Sequence, residues 1–195
     1  TAQGDWRWPA AGLAGAGKFS GSIANIGVDH VVRLPDPVTV RGSITNLFDE
    51  RAFSGAAQWD VVSLPATTPL YSRAGRFRFS SDFTTLLFRG KTVLQQDGLP
   101  DMPLALAAEA GLAGLDLRAF ALDAFGGQLT GNGALNYSDG VTGAFAVTGK
   151  QLDINELRPG LPGKLDFAAQ LAIDSPAEIK INVSELAATL SGQTV

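Results

Sequence analysis

The chain has 195 residues, a formal net charge of −4, and 45% apolar against 17% charged residues. That length and apolar share suffice for one large β domain or two small ones, and the acidic balance excludes a basic nucleic-acid surface. With no Cys and His30 as the single histidine, neither a disulfide framework nor a thiolate or multi-histidine metal site can be assembled.

The opening Thr1-Ala2-Gln3-Gly4 lacks the basic-then-apolar pattern of a signal peptide, and no stretch approaches the ~18 to 20 apolar residues of a membrane span. The run Gly12-Leu-Ala-Gly15-Ala-Gly17 superficially resembles a dinucleotide loop, but its glycine spacing is reversed and no strand-loop-helix context follows. Gly17-Lys18-Phe19 instead opens an alternating stretch. His30, in Gly27-Val-Asp-His-Val-Val-Arg33, reads as a structural imidazole, because it has no second His or Cys to work with. Leu34-Pro-Asp-Pro37 and Leu64-Pro65 to Pro69 read as loops or edge-strand interruptions. Between them, Val38, Val40 and Ile44 alternate with Thr39, Arg41 and Ser43, the period-2 pattern of a strand with one oily and one wet face.

Gly75-Arg76-Phe77 repeats the earlier opening, and Phe77 and Phe79 alternate with Arg76, Arg78 and Ser80. Ala105 to Ala113 has helical propensity, yet Pro103 and Gly111 bracket it and Leu115-Asp-Leu117-Arg alternates after it, so a strand is expected. Leu129, Gly131, Gly133, Leu135 and Tyr137, then Asp139-Gly140, then Val141, Gly143, Phe145 and Val147 predict a hairpin, with Asp-Gly supplying the positive φ of a tight turn. A short helical turn is expected around Asn155 to Arg158, stopped by Pro159. Gly163-Lys164-Leu165 is the third copy of the opening; Leu165, Phe167, Ala169, Leu171 and Ile173 and then, past Asp174-Ser175-Pro176, Ile179, Ile181 and Val183 form two alternating strands. The final Leu186 to Val195 is strand-like and stops without turn, cap or polar tail, which reads as a piece of a longer protein.

The repetition extends beyond the openings. Ser54-Gly55-Ala-Ala-Gln-Trp59-Asp60 matches Thr130-Gly131-Asn-Gly-Ala-Leu-Asn-Tyr137-Ser-Asp139, with Tyr137 in the place of Trp59. Unequal spacing excludes a regular β-helix and predicts a drifting repeat of several strands, with units near 1–35, 36–100, 101–175 and a truncated 176–195. No Ser sits in a nucleophile elbow, and the single carboxylates read as solvated outer-face charges rather than a catalytic pair. Catalytic residues, a metal and a cofactor are therefore not expected, and the chain is not expected to be an enzyme. Trp6, Trp8 and Trp59 read as packing or rim residues.

If successive strands turn their oily faces to one side, a curling sheet makes either a closed core or an open trough, and alternation does not decide between them. Gly131, Gly133, Gly143 and Ala169 at the inward parity suggest incomplete filling, with room for a ligand chain.

An ordered series of motifs spans nearly the whole chain: Gly42-Ser-Ile-Thr-Asn-Leu47, Gln58-Trp59-Asp60, Leu64-Pro65, Gly75-Arg-Phe-Arg-Phe79, Phe125-Gly-Gly-Gln-Leu-Thr-Gly-Asn-Gly133, Leu135-Asn-Tyr137 and Leu157-Arg-Pro-Gly-Leu-Pro-Gly163. In this order they resemble the TamB family of the bacterial translocation and assembly module, within the AsmA-like group; Tyr137, where many relatives would carry Trp, is a departure. The resemblance implies an all-β fold, a long curved sheet forming a taco-like trough with an apolar interior. It implies a periplasmic segment of a protein anchored in the inner membrane and partnered with the outer-membrane barrel TamA. The function implied is inner-to-outer membrane phospholipid transport, with phospholipid acyl chains as the partner, in support of outer-membrane biogenesis. The alternative is a chaperone-like module that assembles outer-membrane proteins such as autotransporters. The expected groove lining is Phe77, Phe79, Leu135, Tyr137, Phe145, Val147, Leu165, Phe167, Leu171, Ile173, Ile179, Ile181 and Val183.

Overall fold

The structure, a computed structural model, describes residues 1–8, 12–49, 51–64, 68–138, 140–175, 178–190 and 193–194. Pro65, Asp139, Pro176 and the side chain of Trp8, singled out in the sequence, lie outside the described residues. The chain divides into two compact units, Thr1–Leu99 and Pro100–Val195.

Unit 1 holds seven strands: β1 (Ala2–Trp8), β2 (Leu13–Ser22), β3 (Asn25–Leu34), β4 (Val38–Thr45), β5 (Ala52–Leu64), β6 (Leu70–Ser81) and β7 (Thr85–Gln96). Each pairs antiparallel with the strand before and after it in sequence, so the unit is a simple meander. Unit 2 repeats that plan in β8 (Met102–Gly111), β9 (Gly114–Ala124), β10 (Gly127–Asn136), β11 (Thr142–Asp153), β12 (Gly163–Ser175), β13 (Glu178–Leu190) and the short β14 (Gln193–Thr194). One helical turn, α1 (Ile154–Leu157), interrupts the strands; Asp153 caps it by accepting from the Asn155 amide at 2.9 Å. Its position agrees with the turn predicted from Pro159.

The Ala-rich segment forms β8, as expected, paired antiparallel with β9. The β10–β11 hairpin also forms, but its connection is longer than a two-residue turn. The strands separate after Asn136 and rejoin at Thr142, with Gly140 at φ 120° inside a five-residue loop. Trp59 and Tyr137 do not occupy equivalent places either. Trp59 lies within β5, whereas Tyr137 follows the end of β10.

Bulges shift the register repeatedly: at Arg33 in β3, Ala74 in β6, Arg118 in β9, Gln151 in β11 and Ser184 in β13 an extra residue stands against the neighbouring strand. Two of these residues, Ala74 and Gln151, take positive φ, 51° and 56°. An extra residue bends its strand and increases the local twist, which curls each sheet.

The question left open by alternation is answered by burial. Among the described residues no large side chain is fully buried, and the buried apolar positions are Met102, Ala108, Ala124, Leu152 and Ala169. Ala accounts for most of these, so no second layer covers the apolar face. Each unit is an open, curled, trough-like sheet.

Candidate functional site

Antiparallel register turns the alternation of single strands into continuous apolar rows across each unit. In unit 2 one row runs Leu115, Leu135, Gly143, Ile173, Ile179, and the next runs Leu117, Gly133, Phe145, Leu171, Ile181. Beyond them lie Phe120, Gly131, Val147, Ala169, Val183, then Leu129, Gly149, Phe167, Leu186, then Leu152, Leu165, Ala188. The register therefore brings together on one face every unit 2 position expected in the lining except Tyr137. That residue sits at the rim, its hydroxyl donating to the carbonyls of Gly111 and of Gly114 (3.0 Å).

In unit 1, Phe79 belongs to the row Phe19, Val28, Gly42, Gly55, Phe79, Phe88, and Phe77 to the row Gly17, His30, Val40, Ala57, Phe77, Gly90. Phe79 meets Phe53 at 5.0 Å between centroids, and Phe77 stacks on Trp59 at 5.2 Å with the planes 8° apart.

Glycine has a different role here from the one expected. Instead of leaving empty room, nearly every glycine in the rows lies beneath a ring from the adjacent strand. A Cβ at Gly75 would fall 1.9 Å from Trp59, at Gly90 2.6 Å from Phe77, at Gly55 2.8 Å from Phe79. In unit 2 the same holds for Gly131 under Phe120 (2.6 Å), Gly133 under Phe145 (2.3 Å) and Gly149 under Phe167 (2.4 Å). The rings lie down along the sheet, so the wall is low and presents aromatic faces. Room for a chain arises because the rings do not stand up into the trough.

Two polar groups interrupt the apolar face of unit 1, and both are satisfied. His30 lies over Gly17 and accepts at Nε2 from the Trp6 indole at 2.6 Å, with the two rings stacked at 5.5 Å. Trp59 Nε1 donates to Ser72 Oγ at 2.9 Å, Ser72 Oγ is 2.6 Å from Thr92 Oγ1, and Thr92 donates to the Arg73 carbonyl at 2.8 Å. Ser72 and Thr92 are buried, so this hydroxyl chain closes the polar groups freed by the Ala74 bulge within the sheet. His30 is structural, as its isolation in the sequence implies.

Among the apolar residues of these faces that the expected lining left out, six are Phe19, Val28, Phe53, Phe88, Phe120 and Leu186. For Phe120 and Leu186 the reason is a bulge: Arg118 and Ser184 each flip the parity, so the inward series passes from Leu117 to Phe120 and from Val183 to Leu186. The remaining four obey plain alternation and were legible from their own strands.

A cavity of about 460 Å³ lies across β10–β13; most of its lining, Asn132, Ala144, Ala146, Gln170, Ala172, Lys180 and Asn182, is of the parity opposite to the apolar row, and Gly133, Phe145, Leu171 and Ile181 complete it. The outer strand β13 is the most open: Ile181 is 65% exposed. Lys180 pairs with Asp174 (2.5 Å) and Glu178 (3.2 Å), which raises its pKa, so it stands as a paired ammonium at the strand margin. Among the described residues no group of His, Asp and Glu is arranged to hold a metal ion, and no helix is long and apolar enough to cross a membrane.

Residues 9–193 match the family model described as TamB, N-terminal domain. Neither a curated protein nor a solved structure matches the chain.

Proposed function

This chain belongs to the TamB family, and from that premise we propose that its apolar faces shelter phospholipid acyl chains during inner-to-outer membrane lipid transport. The family is one of transport or assembly modules rather than enzymes, and it works with TamA across the periplasm. The observation that carries the reading is the uncovered row structure of unit 2, where Phe145, Phe167, Leu171, Ile179 and Ile181 stand on one face with no second layer over them.

Such a face suits a sliding chain. Each buried CH₂ contributes about 0.8 kcal/mol, so a chain of about sixteen carbons needs shelter on the order of 12 kcal/mol to cross water. A wall of flat rings and branched aliphatics supplies that shelter without a fixed binding position, and headgroups remain in water. The inner-membrane anchorage of the whole protein and its support of outer-membrane biogenesis belong to the same proposal.

The test is uptake of a fluorescent fatty acid by the chain. Phe167→Ala keeps an apolar wall and should leave uptake nearly unchanged, whereas Phe167→Asp places a charge in the path and should abolish it. Ala168→Asp, on the opposite parity, should have no effect. Equal losses at positions 167 and 168 in folded variants overturn the reading. The alternative, assembly of outer-membrane protein clients, would use the backbone groups of a strand edge, which can accept an added strand. It requires client polypeptide, rather than lipid, to be captured along Glu178–Leu190.

A further inference from the structure

In a meander, every second hairpin turn lies at the same end of the sheet. At one end of unit 1 these turns are β2–β3, β4–β5 and β6–β7, and each carries a protruding apolar residue: Ile23 (62% exposed), Phe48 (81%) and Phe83 (50%). With strands about 4.8 Å apart, successive tips stand roughly 10 Å from one another. The β3–β4 turn at the other end is different in kind: Pro35-Asp36-Pro37, with Asp36 accepting from the Ser63 amide at 2.7 Å.

The tips are joined to each other. The Asn46 amide donates to the Ala24 carbonyl at 3.2 Å, tying the second tip to the first, and the Arg51 guanidinium sits 5.7 Å above the Phe83 ring, tying the second to the third. Phe83 is held outward at φ 70°, a conformation that bulky residues avoid, by Asp82, whose Oδ1 accepts from the Thr84 amide, the Thr84 hydroxyl and the Thr85 amide. Asn46 accepts in turn from the Asp49 amide. Unit 2 shows the same device at its own turns: Leu112, 93% exposed, crowns β8–β9, and Tyr137 of the β10–β11 loop binds back to Ala113 through its amide and to Gly111 and Gly114 through its hydroxyl.

We propose that this linked edge of hairpin tips docks unit 1 on a bilayer surface of zwitterionic lipid. Three separate apolar knobs, one at each turn, form no continuous apolar face for a folded partner, whereas the soft interface of a bilayer accepts each knob independently. The Asn46, Asp49 and Arg51 amides at the second tip and the Phe83, Thr84 and Thr85 amides at the third are satisfied within the edge, which lowers the cost of taking these tips out of water. The charges commit the lipid class. By sequence the second tip carries Asp49, Glu50 and Arg51 and the third Asp82, an excess of negative charge beside Phe48 and Phe83 that suits the outer ammonium of a zwitterionic headgroup, with Arg51 available to its phosphate. A surface of net negative charge would be repelled.

This proposal is independent of acyl-chain shelter in the trough, and the test separates them. The full chain is sedimented with vesicles of phosphatidylethanolamine and phosphatidylcholine, and with vesicles enriched in phosphatidylglycerol. Wild type should pellet with the zwitterionic vesicles, with no gain from phosphatidylglycerol. The double variant Phe48→Ser, Phe83→Ser should lose at least about tenfold in partition, Phe48→Leu with Phe83→Leu should retain it, and Val61→Ser, exposed but away from the tips, should behave as wild type. Phe167→Asp should pellet normally although it takes up no fatty acid. Pelleting that survives the double Ser substitution, or that requires phosphatidylglycerol, overturns the proposal; so does capture of a protein by the tips with no vesicle binding.

Discussion

Trp59 lies flat over Gly75, close enough that a Cβ on residue 75 would fall 1.9 Å from the indole Cε2. The indole is held from both sides, by the Phe77 ring and by its hydrogen bond to Ser72, so it has no free direction in which to give way. Gly75→Ala should therefore destabilise unit 1 by about 1 to 3 kcal/mol through overpacking. Gly4→Ala, where nothing lies within 4 Å, should change stability by less than about 1 kcal/mol. Urea unfolding followed by tryptophan fluorescence compares the two, and equal midpoints would refute the pairing of rings with glycines as a structural rule.

The pairing also marks how far the sequence could be read. Alternation in Leu165 to Ile173 and in Ile179 to Val183 located the strands and the residues that share a face, because a period of two survives wherever the ladder is regular. It failed past Ser184 and Arg118, where one inserted residue reverses the faces and brings Leu186 and Phe120 inward. Nor could it decide between core and trough. That depends on whether a second layer exists, which no single strand encodes. The flat rings were invisible for a related reason: a glycine in one strand and its covering ring in the next are linked only through register.

The buried hydroxyl chain gives a second expectation. Ser72→Ala removes the acceptor of Trp59 and the partner of Thr92 at a buried site, leaving an indole N–H unpaired. A loss of about 1 to 3 kcal/mol is expected, again read from the urea midpoint. Because Thr92 keeps its bond to the Arg73 carbonyl, Thr92→Val should release that carbonyl as well and cost at least as much as Ser72→Ala.

Acid should reach the hairpin tips late. Asp82 is lowered from 3.8 to about 2, first by the Thr84 hydroxyl and then by the Thr85 and Thr84 amides, all of which favour the carboxylate. A depressed folded-state value means the contribution is present above the unfolded value of 3.8 and is lost as pH falls through about 2. Carboxyl chemical shifts across an acid titration should show Asp82 among the last to protonate. Thr84→Val should move it back toward 3.8; an unshifted midpoint in that variant would assign the effect elsewhere.

Asp153 behaves alike at the helical turn. The Asn155 amide, and after it Lys164 at 3.3 Å, lowers its pKa, so acidification should loosen the α1 cap only below the usual aspartate range. Lys164→Met should bring that loosening to higher pH, as seen in amide exchange at Asn155.

The measurement that bears most directly on the lipid-shelter account is photo-cross-linking in cells, in the full-length protein, with the probe at Phe167 or Ala168 and at Ile181 or Asn182. Each pair differs only in which face of its strand it occupies. Phospholipid adducts at Phe167 and Ile181, and none at Ala168 and Asn182, is the expected result. Client polypeptide captured with no lipid at either parity would contradict it.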